Sequence, residues 1–284
     1  MSAPGSVPVD GPPRFVRERD RFEMKYWLSP EEAADVVRRA GSYVTPDQLA
    51  MAGAPYRGGE VPVGQCINSL YLETRDFTFF RQHVEAALDR FKLRVRAYGD
   101  PPAGTAFFET KRKVKQVTVK GRAGVPIELV PSLLDGSWDQ LPSLGSSSRQ
   151  ALGNFLYLQT VYQAAPLLLV RFYREAFTSL NPADDIRVTF DRGICAQGAL
   201  GASFAFDPRA WIPIDGEPQH GRLGPQVLLE LKFPRIAPFW MRQIVERLEM
   251  RRIAYSKYVS AARCLFERRQ LDDQLLDAVP AGAF

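Results

Sequence analysis

The chain has 284 residues, of which 45% are hydrophobic and 24% charged, and it carries a net charge of +5. This length is sufficient for a large buried core, and no segment approaches the roughly 20 apolar residues that a membrane-spanning helix requires. Two histidines exclude a multi-histidine metal centre, and three scattered cysteines indicate neither a disulfide framework nor a zinc site. The N-terminus lacks the apolar run of a signal peptide, so we expect a cytoplasmic protein.

The first elements of the chain are a disordered leader, a helix and a loop. Residues 1–13 are rich in Pro and Gly and poor in apolar residues, which predicts disorder. A helix is predicted in "LSPEEAADVVRRAG", with Ser29 as its N-cap and Glu32 as the capping-box partner. Residues 45–65 have the Gly- and Pro-rich composition of a loop.

The rest of the chain alternates between strand patterns and helical patterns. Strands are predicted in "INSLYLET", "FKLRVRAYG", "AFFETKRKV", "VTVKGRA", "VPIELV", "PLLLVRFYREAF", "DIRVTFDRGI" and "QVLLELKF". Helices are predicted within 132–160 and in the two segments that begin at 238 and 256, before a C-terminal tail at 268–284. Most strands follow one another through short connections, which favours an α+β fold. We expect an antiparallel β-barrel of about eight strands, flanked by helices.

Charged residues occupy alternate positions in at least six of these strands. Lys92, Arg94 and Arg96 alternate with Phe91, Leu93 and Val95, so the cations share one face and the apolar residues the other. A single strand of this kind is typical of a half-exposed sheet. Six of them indicate a common charged face, which either meets solvent on an open sheet or lines the inside of a barrel.

The composition of the charged faces favours an anionic ligand. They contain more Lys and Arg than carboxylates, and a dry interior cannot hold many unpaired cations. A barrel lined in this way needs a wet lumen and a linear polyanion, for example triphosphate or polyphosphate, and the planar fork of Arg suits phosphate. Binding of nucleic acid would require exposed aromatic residues among the cations, whereas here the apolar residues alternate to the opposite face. We expect no nucleic-acid partner.

Nine short motifs occur in the order that is typical of one family. They are "RFEMKY", "YLET", "KLRVRAY", "FFETKRKV", "VTVKGR", "FYREAF", "IRVTFDRG", "LLELKF" and "YSKY". In this order they resemble the VTC (vacuolar transporter chaperone) polyphosphate polymerase domain, which belongs to the triphosphate tunnel metalloenzyme, or CYTH-like, superfamily. The resemblance covers 14–267. It implies a tunnel with a charged lumen, a divalent metal (Mn²⁺ or Mg²⁺), and transfer of the ATP γ-phosphate to polyphosphate.

The resemblance also assigns roles to individual positions. It implies catalytic roles for Arg94, Arg96, Lys111, Arg174 and Arg187, phosphate binding by Lys25, Lys120, Ser256 and Lys257, and metal binding by Glu230, with Glu23 and Glu109 as the next candidates. Two positions depart from the eukaryotic polymerases, which have a lysine at Ala254 and a tyrosine at Phe172. Two alternatives remain open: hydrolysis of triphosphate in the same tunnel, and a non-catalytic polyphosphate-binding module.

Overall fold

A computed structural model describes residues 16–17, 21–47, 64–115, 117–138, 141, 143–216 and 224–268 of the chain. In these residues the backbone forms one eleven-stranded antiparallel sheet and six α-helices. The strands are β1 (Val16–Arg17), β2 (Arg21–Leu28), β3 (Val44–Pro46), β4 (Gln65–Glu73), β5 (Asp89–Gly99), β6 (Pro102–Val114), β7 (Val117–Pro126), β8 (Ala165–Ser179), β9 (Arg187–Gly198), β10 (Ile212–Pro213) and β11 (Val227–Pro234). The helices are α1 (Pro30–Ala40), α2 (Thr78–Val84), α3 (Val130–Leu134), α4 (Ser146–Val161), α5 (Phe239–Arg247) and α6 (Lys257–Glu267).

Most predicted elements are confirmed, and α1 begins as the sequence indicates. The Ser29 side chain accepts a hydrogen bond from the Glu32 backbone N–H, and the Glu32 side chain accepts one from the Ser29 N–H. Residues 45 and 46 of the predicted loop belong instead to β3, which pairs with β8. The predicted leader, most of the C-terminal tail and residues 48–63 of the predicted loop lie outside the described residues.

The expected closed barrel is wrong, because the sheet is open. Its strands follow the order β1-β7-β6-β5-β4-β8-β9-β11-β2, with β10 beside β9 and β3 beside β8. In the part of the chain that the structure describes, no ladder of hydrogen bonds joins β1 to β2. Alternation of charged and apolar residues predicts which side of a strand is buried. It contains no information on whether the two outermost strands pair with each other.

The open sheet is nevertheless strongly curled. The two strands at its ends, β1 and β2, are separated by three residues of chain, so their adjacent ends lie within roughly 14 Å of each other. Charged groups interact across the curl, since Glu23 on β2 influences the pKa of Lys111 on β6, although these strands are far apart in the strand order. The charged face of the strands is therefore the inner face of the curl.

The apolar residues of the same strands face the opposite way and are covered by helices, as predicted. Leu93 and Val95 of β5 are fully buried in a core that includes Phe155 of α4. On the other half of the sheet, Leu229 of β11 packs in a second core with Val36 of α1. These two outer cores hold the strands in the curved arrangement.

Helix α6 packs instead on the inner face, beyond one end of the charged side chains. Its Tyr258 and Leu265 share a third core with Trp27, Tyr71 and Leu228, which lie on the inner face of their strands. Tyr258 is the second residue of α6. Its burial in this core therefore fixes the start of the helix beside the charged face.

The outer core provides a test of the fold. Leu93→Ala is expected to lower the free energy of unfolding by about 2–5 kcal/mol, because Leu93 is completely buried. Leu88→Ala makes the same chemical change at a position that is 70% exposed, and should change it by less than about 0.5 kcal/mol. Urea unfolding measures both, and equal effects would contradict a buried outer face of β5.

Candidate functional site

The inner face of the sheet and the start of α6 form a groove in which cations outnumber carboxylates, here called the charged groove. Its cations and carboxylates come from strands on both halves of the curl. The cations are Lys25, Lys92, Arg94, Arg96, Lys111, Lys120, Arg122, Arg174, Lys232 and Lys257, and the carboxylates are Glu23, Glu109, Asp191 and Glu230.

The groove has two walls, one formed by β8, β9, β11 and β2 and the other by β5, β6 and β7. Glu230 lies on β11 at the centre of the first wall. Four cations surround it: Lys25, Arg174 and Lys232 each lie 3.5 Å from its oxygens, and Lys257 lies 3.8 Å away. Burial raises the pKa of this carboxyl, but Lys257 and Arg174, followed by Lys25 and Lys232, outweigh burial and hold the pKa well below its usual value. Glu230 is therefore ionised.

Asp191 is the most deeply buried carboxylate of the groove. Arg174 donates two hydrogen bonds to it, from Nε to Oδ1 and from Nη2 to Oδ2, both at 2.6 Å. Lys257 at the start of α6 donates a third, at 2.5 Å. A planar guanidinium held by two parallel bonds has a fixed orientation. Asp191 thus positions both Arg174 and Lys257 beside Glu230.

On the opposite wall, Glu109 of β6 organises three arginines. Its Oε2 lies 2.6 Å from Nε of Arg94 and 3.7 Å from Nε of Arg96, and its Oε1 lies 3.5 Å from Nε of Arg122. Arg94 also donates to the Tyr71 hydroxyl at 3.2 Å. The buried Nε of Arg96 has no hydrogen-bond partner among the described residues. Of the three arginines on this wall, Arg96 has the longest contact with Glu109.

The first residues of α6 connect the two walls. Ser256 caps the helix by accepting from the Val259 backbone N–H, and it also accepts from Lys92 Nζ at 2.6 Å. In the same turn, the Tyr258 hydroxyl donates to Glu73, whose carboxylate also accepts backbone N–H bonds from α2. These contacts fix the position of Lys257 and Ser256 relative to the strands.

Comparison with known proteins identifies the family of this chain. Residues 20–266 match the VTC domain family, which is most of the chain. The chain belongs to the VTC domain family. The resemblance in the sequence is thereby confirmed, and membership implies a function related to polyphosphate. Among the described residues of this VTC domain, no helix is long and apolar enough to cross a bilayer.

Comparison with solved structures finds a match of low sequence identity. The structure of the PH1819 protein from Pyrococcus horikoshii OT3 shares 12% sequence identity with this chain. The match covers 87% of this chain and 97% of that one, with a TM-score of 0.40. This value is too low to support an argument about fold or function. Comparison with curated proteins gives no match.

The structure brings together all but one of the residues for which the sequence predicted a role. Those in or beside the charged groove are Glu23, Lys25, Arg94, Arg96, Glu109, Lys111, Lys120, Arg174, Glu230, Ser256 and Lys257. Arg187 lies on the same face of β9 but is 42% exposed and forms an ion pair with Asp47 at 3.0 Å. Its catalytic role stays a prediction, and its position is at the edge of the groove.

Several groove residues were given no individual role by the sequence. Alternation places Lys92, Arg122 and Lys232 on the charged faces, each beside a residue that was given a role. Asp191 shares the face of Arg187, but its two ion pairs join strands and a helix that are distant in sequence. No sequence pattern could have identified those partners.

Two of the candidate metal ligands fit a divalent cation, and one does not. Mg²⁺ and Mn²⁺ prefer oxygen ligands, and Mg²⁺ is commonly held by one or two carboxylates together with substrate phosphates. Glu230 and Glu23 fit this arrangement, since each contacts Lys25 and Lys232 and both have a lowered pKa, that of Glu23 at about 2. Glu109 does not fit, because Arg94 holds its Oε2 in a 2.6 Å hydrogen bond, which is shorter than any cation contact of Glu230 or Glu23.

The described side chains do not form a complete metal site by themselves. Within the described ranges, no three His, Cys, Asp or Glu side chains are grouped so that they could hold a metal ion. A divalent cation at Glu230 and Glu23 would therefore need further oxygens, and a phosphate group is the chemical class that supplies them.

The pairing of Glu109 with arginines predicts a dependence of stability on pH. Burial raises the pKa of Glu109, but Arg94 and Arg96 outweigh burial and lower it from 4.5 to about 2. The ionised carboxylate therefore stabilises the folded state fully above about pH 4.5, and this contribution is lost as the pH falls through about 2. The free energy of unfolding should decline over this range.

Glu109→Gln is expected to make that decline shallower, because the variant has no proton to take up at this position. Urea unfolding at a series of pH values measures the slope. Glu246→Gln, at an exposed position of α5, serves as the control and should keep the wild-type slope. An unchanged slope in Glu109→Gln would show that the Glu109 contacts contribute nothing to acid sensitivity.

Proposed function

We propose that this VTC domain is a metal-dependent phosphotransferase that moves the γ-phosphate of ATP onto a polyphosphate chain. One observation carries the proposal: cations from both walls converge on one groove in excess of its carboxylates, and the buried Nε–H of Arg96 has no hydrogen-bond partner among the described residues. Uncompensated cations are costly in a partly dehydrated site. A linear polyanion of phosphate groups is the ligand that offsets this cost.

The two walls would bind different parts of the polyanion. Arg94 and Arg96 lie two residues apart on β5, so their guanidinium groups project to the same side, each able to bind two phosphate oxygens. Arg174 and Lys257 approach from the other wall, in orientations fixed by Asp191. The substrate would lie between the walls and contact both.

Transfer of a phosphoryl group requires alignment and neutralisation of charge, with little covalent participation by the protein. The cations of the groove would stabilise the negative charge on the transferred group in positions set before the reaction begins. The attacking atom would be a terminal oxygen of phosphate or polyphosphate, so no protein nucleophile is needed. A divalent metal, when bound at Glu230 and Glu23, would neutralise further charge on the phosphate oxygens.

The proposal is tested by incubating the purified protein with ATP and Mn²⁺ or Mg²⁺, with and without a pyrophosphate primer. A gel resolves the chain length of the products, and a second assay measures free phosphate. Growth of long chains is the expected result. Release of phosphate from ATP or triphosphate without chain growth would replace the polymerase with a triphosphatase. The absence of turnover under every condition would leave a polyphosphate-binding module.

Glu230→Gln is expected to abolish metal-dependent turnover while the protein still binds tripolyphosphate. The change keeps the shape of the side chain and removes the charge that a divalent ion needs. Calorimetry with tripolyphosphate reports whether the groove is intact, and the turnover assay reports the metal. Glu246→Gln is again the control and should keep full turnover. Wild-type rates in Glu230→Gln would place the metal elsewhere.

Arg96→Ala is expected to lower kcat on the order of 100-fold and to weaken ATP binding by a smaller factor. The reason is that the charge on the transferred group is redistributed in the transition state. A cation that contacts this group therefore stabilises the transition state more than it stabilises bound ATP. Arg112→Ala is the matched control, since Arg112 lies on the outer face of β6 and pairs with Asp89. Steady-state kinetics separates the two effects. A purely proportional loss of binding and kcat in Arg96→Ala would contradict a transition-state role.

A further inference from the structure

Beyond Arg96, the inner face of the charged groove carries two aromatic side chains among its cations. Tyr98 follows on β5 and packs against the inner core, and Phe107 of β6 lies directly opposite Arg96. Phe107 is two residues from Glu109, so both side chains lie on the same face of β6. The rings of Tyr98 and Phe107 meet edge to face, with their centroids 5.8 Å apart. Together with Arg122 of β7, these two residues are here called the stacking platform.

The ring of Phe107 rests against the backbone of β7. Gly124 lies directly opposite Phe107, and a Cβ atom added there would lie 3.2 Å from Cε1 of the ring and 3.0 Å from Cγ2 of Thr105. A glycine within a strand is typical of a place where another group approaches the backbone closely. The absence of a side chain at Gly124 therefore allows the ring to lie low on the sheet, beneath the neighbouring Arg122.

Arg122 is held by three contacts that fix the plane of its guanidinium group. Its Cζ lies 3.8 Å from the centroid of the Phe107 ring, its Nη2 donates to the Tyr98 hydroxyl at 3.2 Å, and its Nε lies 3.5 Å from Oε1 of Glu109. The two polar contacts involve the edge of the guanidinium, and Phe107 covers one of its faces. Because the side chain is still 49% exposed, the opposite face is open at the groove.

We propose that the stacking platform binds the base of a nucleoside triphosphate whose phosphates lie between the two walls. The inference deepens the proposed function and rests on it, because it takes a triphosphate as the occupant of the groove. A flat guanidinium with a free face is a group on which nucleobases stack. Phosphate instead binds the edge of a guanidinium, and two of the three nitrogens of Arg122 already face Glu109 and Tyr98.

The position of the platform suits the outer end of such a ligand. Arg122 is directly opposite Glu109, which is directly opposite Arg94, so β7 lies two strands from the arginines of β5, roughly 10 Å away. A base on Arg122 would therefore be set apart from phosphates at Arg94 and Arg96, with the ribose between them. Stacking uses the flat face of a base and does not read its edges. The substrate class is thus a nucleoside triphosphate, with GTP accepted as well as ATP.

The test compares wild type with Arg122→Lys, which keeps the positive charge and removes the flat group. Calorimetry in the absence of metal measures the affinity for ATP, GTP and tripolyphosphate. In the variant, the ratio of ATP affinity to tripolyphosphate affinity is expected to fall roughly fivefold or more, as the loss of a base-stacking contact predicts. The corresponding ratio for GTP should fall by a similar factor.

Two further variants make the result specific. Arg112→Lys is the same chemical change on the outer face of β6, where Arg112 pairs with Asp89 and lies 5.5 Å from the ring centroid of Phe91, and it should leave both ratios unchanged. Phe107→Leu removes the ring beneath Arg122, so it should lower the same ratios as Arg122→Lys does. It also serves as the probe if Arg122→Lys does not fold.

The outcomes separate this inference from the proposed function. An equal loss of ATP and tripolyphosphate affinity in Arg122→Lys would make Arg122 a phosphate ligand and overturn the base site. Unchanged ratios in Arg122→Lys and Phe107→Leu would overturn it too. Both results leave the proposed function standing, since transfer of the γ-phosphate requires no contact with the base. Failure of wild type to bind either ATP or tripolyphosphate would overturn both proposals.

Discussion

Repulsion among the cations of the charged groove is the constraint on which the rest of this structure depends. Groups of like charge are brought together on the inner face of one sheet, where water is partly displaced and repulsion is less screened than at an open surface. Two kinds of interaction counteract it. Carboxylates such as Glu109 and Asp191 each contact more than one cation, and the outer cores under α1, α4 and α5 supply the apolar burial that holds the strands in place.

The carboxylates of the groove have two different structural roles. Asp191 accepts three hydrogen bonds of 2.5–2.6 Å from Arg174 and Lys257, and Glu109 accepts one of 2.6 Å from Arg94, so these two carboxylates orient cations. Glu230 and Glu23 are contacted at 3.0–3.8 Å and share two lysines, so their oxygens are less tightly engaged. Loosely engaged carboxylates can rearrange toward another cation at a smaller cost. The distinction separates the residues that build the groove from those that can take part in its chemistry.

The sequence predicted helices α1, α4, α5 and α6, most strands and the side of each strand that is buried, because alternation in segments such as 91–98 depends only on local geometry. It also predicted most of the groove, because motifs in a family-specific order assign positions. Closure of the sheet was not predictable, since it depends on contacts between β1 and β2 that no local pattern encodes. The pairing of Glu109 with three arginines was missed for the same reason. Both facts depend on which distant strands become neighbours.

Helix α6 is more than a cover for the inner face. Through Ser256, Lys257 and Tyr258 it contacts Lys92, Asp191 and Glu73, which belong to three different strands. The buried Glu73 in turn accepts hydrogen bonds from the first turns of α2. The start of α6 is therefore held by side chains that are themselves fixed, and a phosphate ligand at this end would meet groups that need little rearrangement.

The order of strands in the sheet has a consequence for how the domain is assembled during synthesis. Strand β2, near the beginning of the chain, pairs with β11, near its end, and together they contribute Glu23, Lys25, Glu230 and Lys232 to one wall. Pairing of segments so distant in sequence is slow, because a long loop must close before any contact compensates for the lost entropy. A chain that is still emerging from the ribosome has the arginines of β5 but not this wall. The groove becomes complete only when nearly the whole domain has been made, so an unfinished chain cannot enclose a polyanion between two walls.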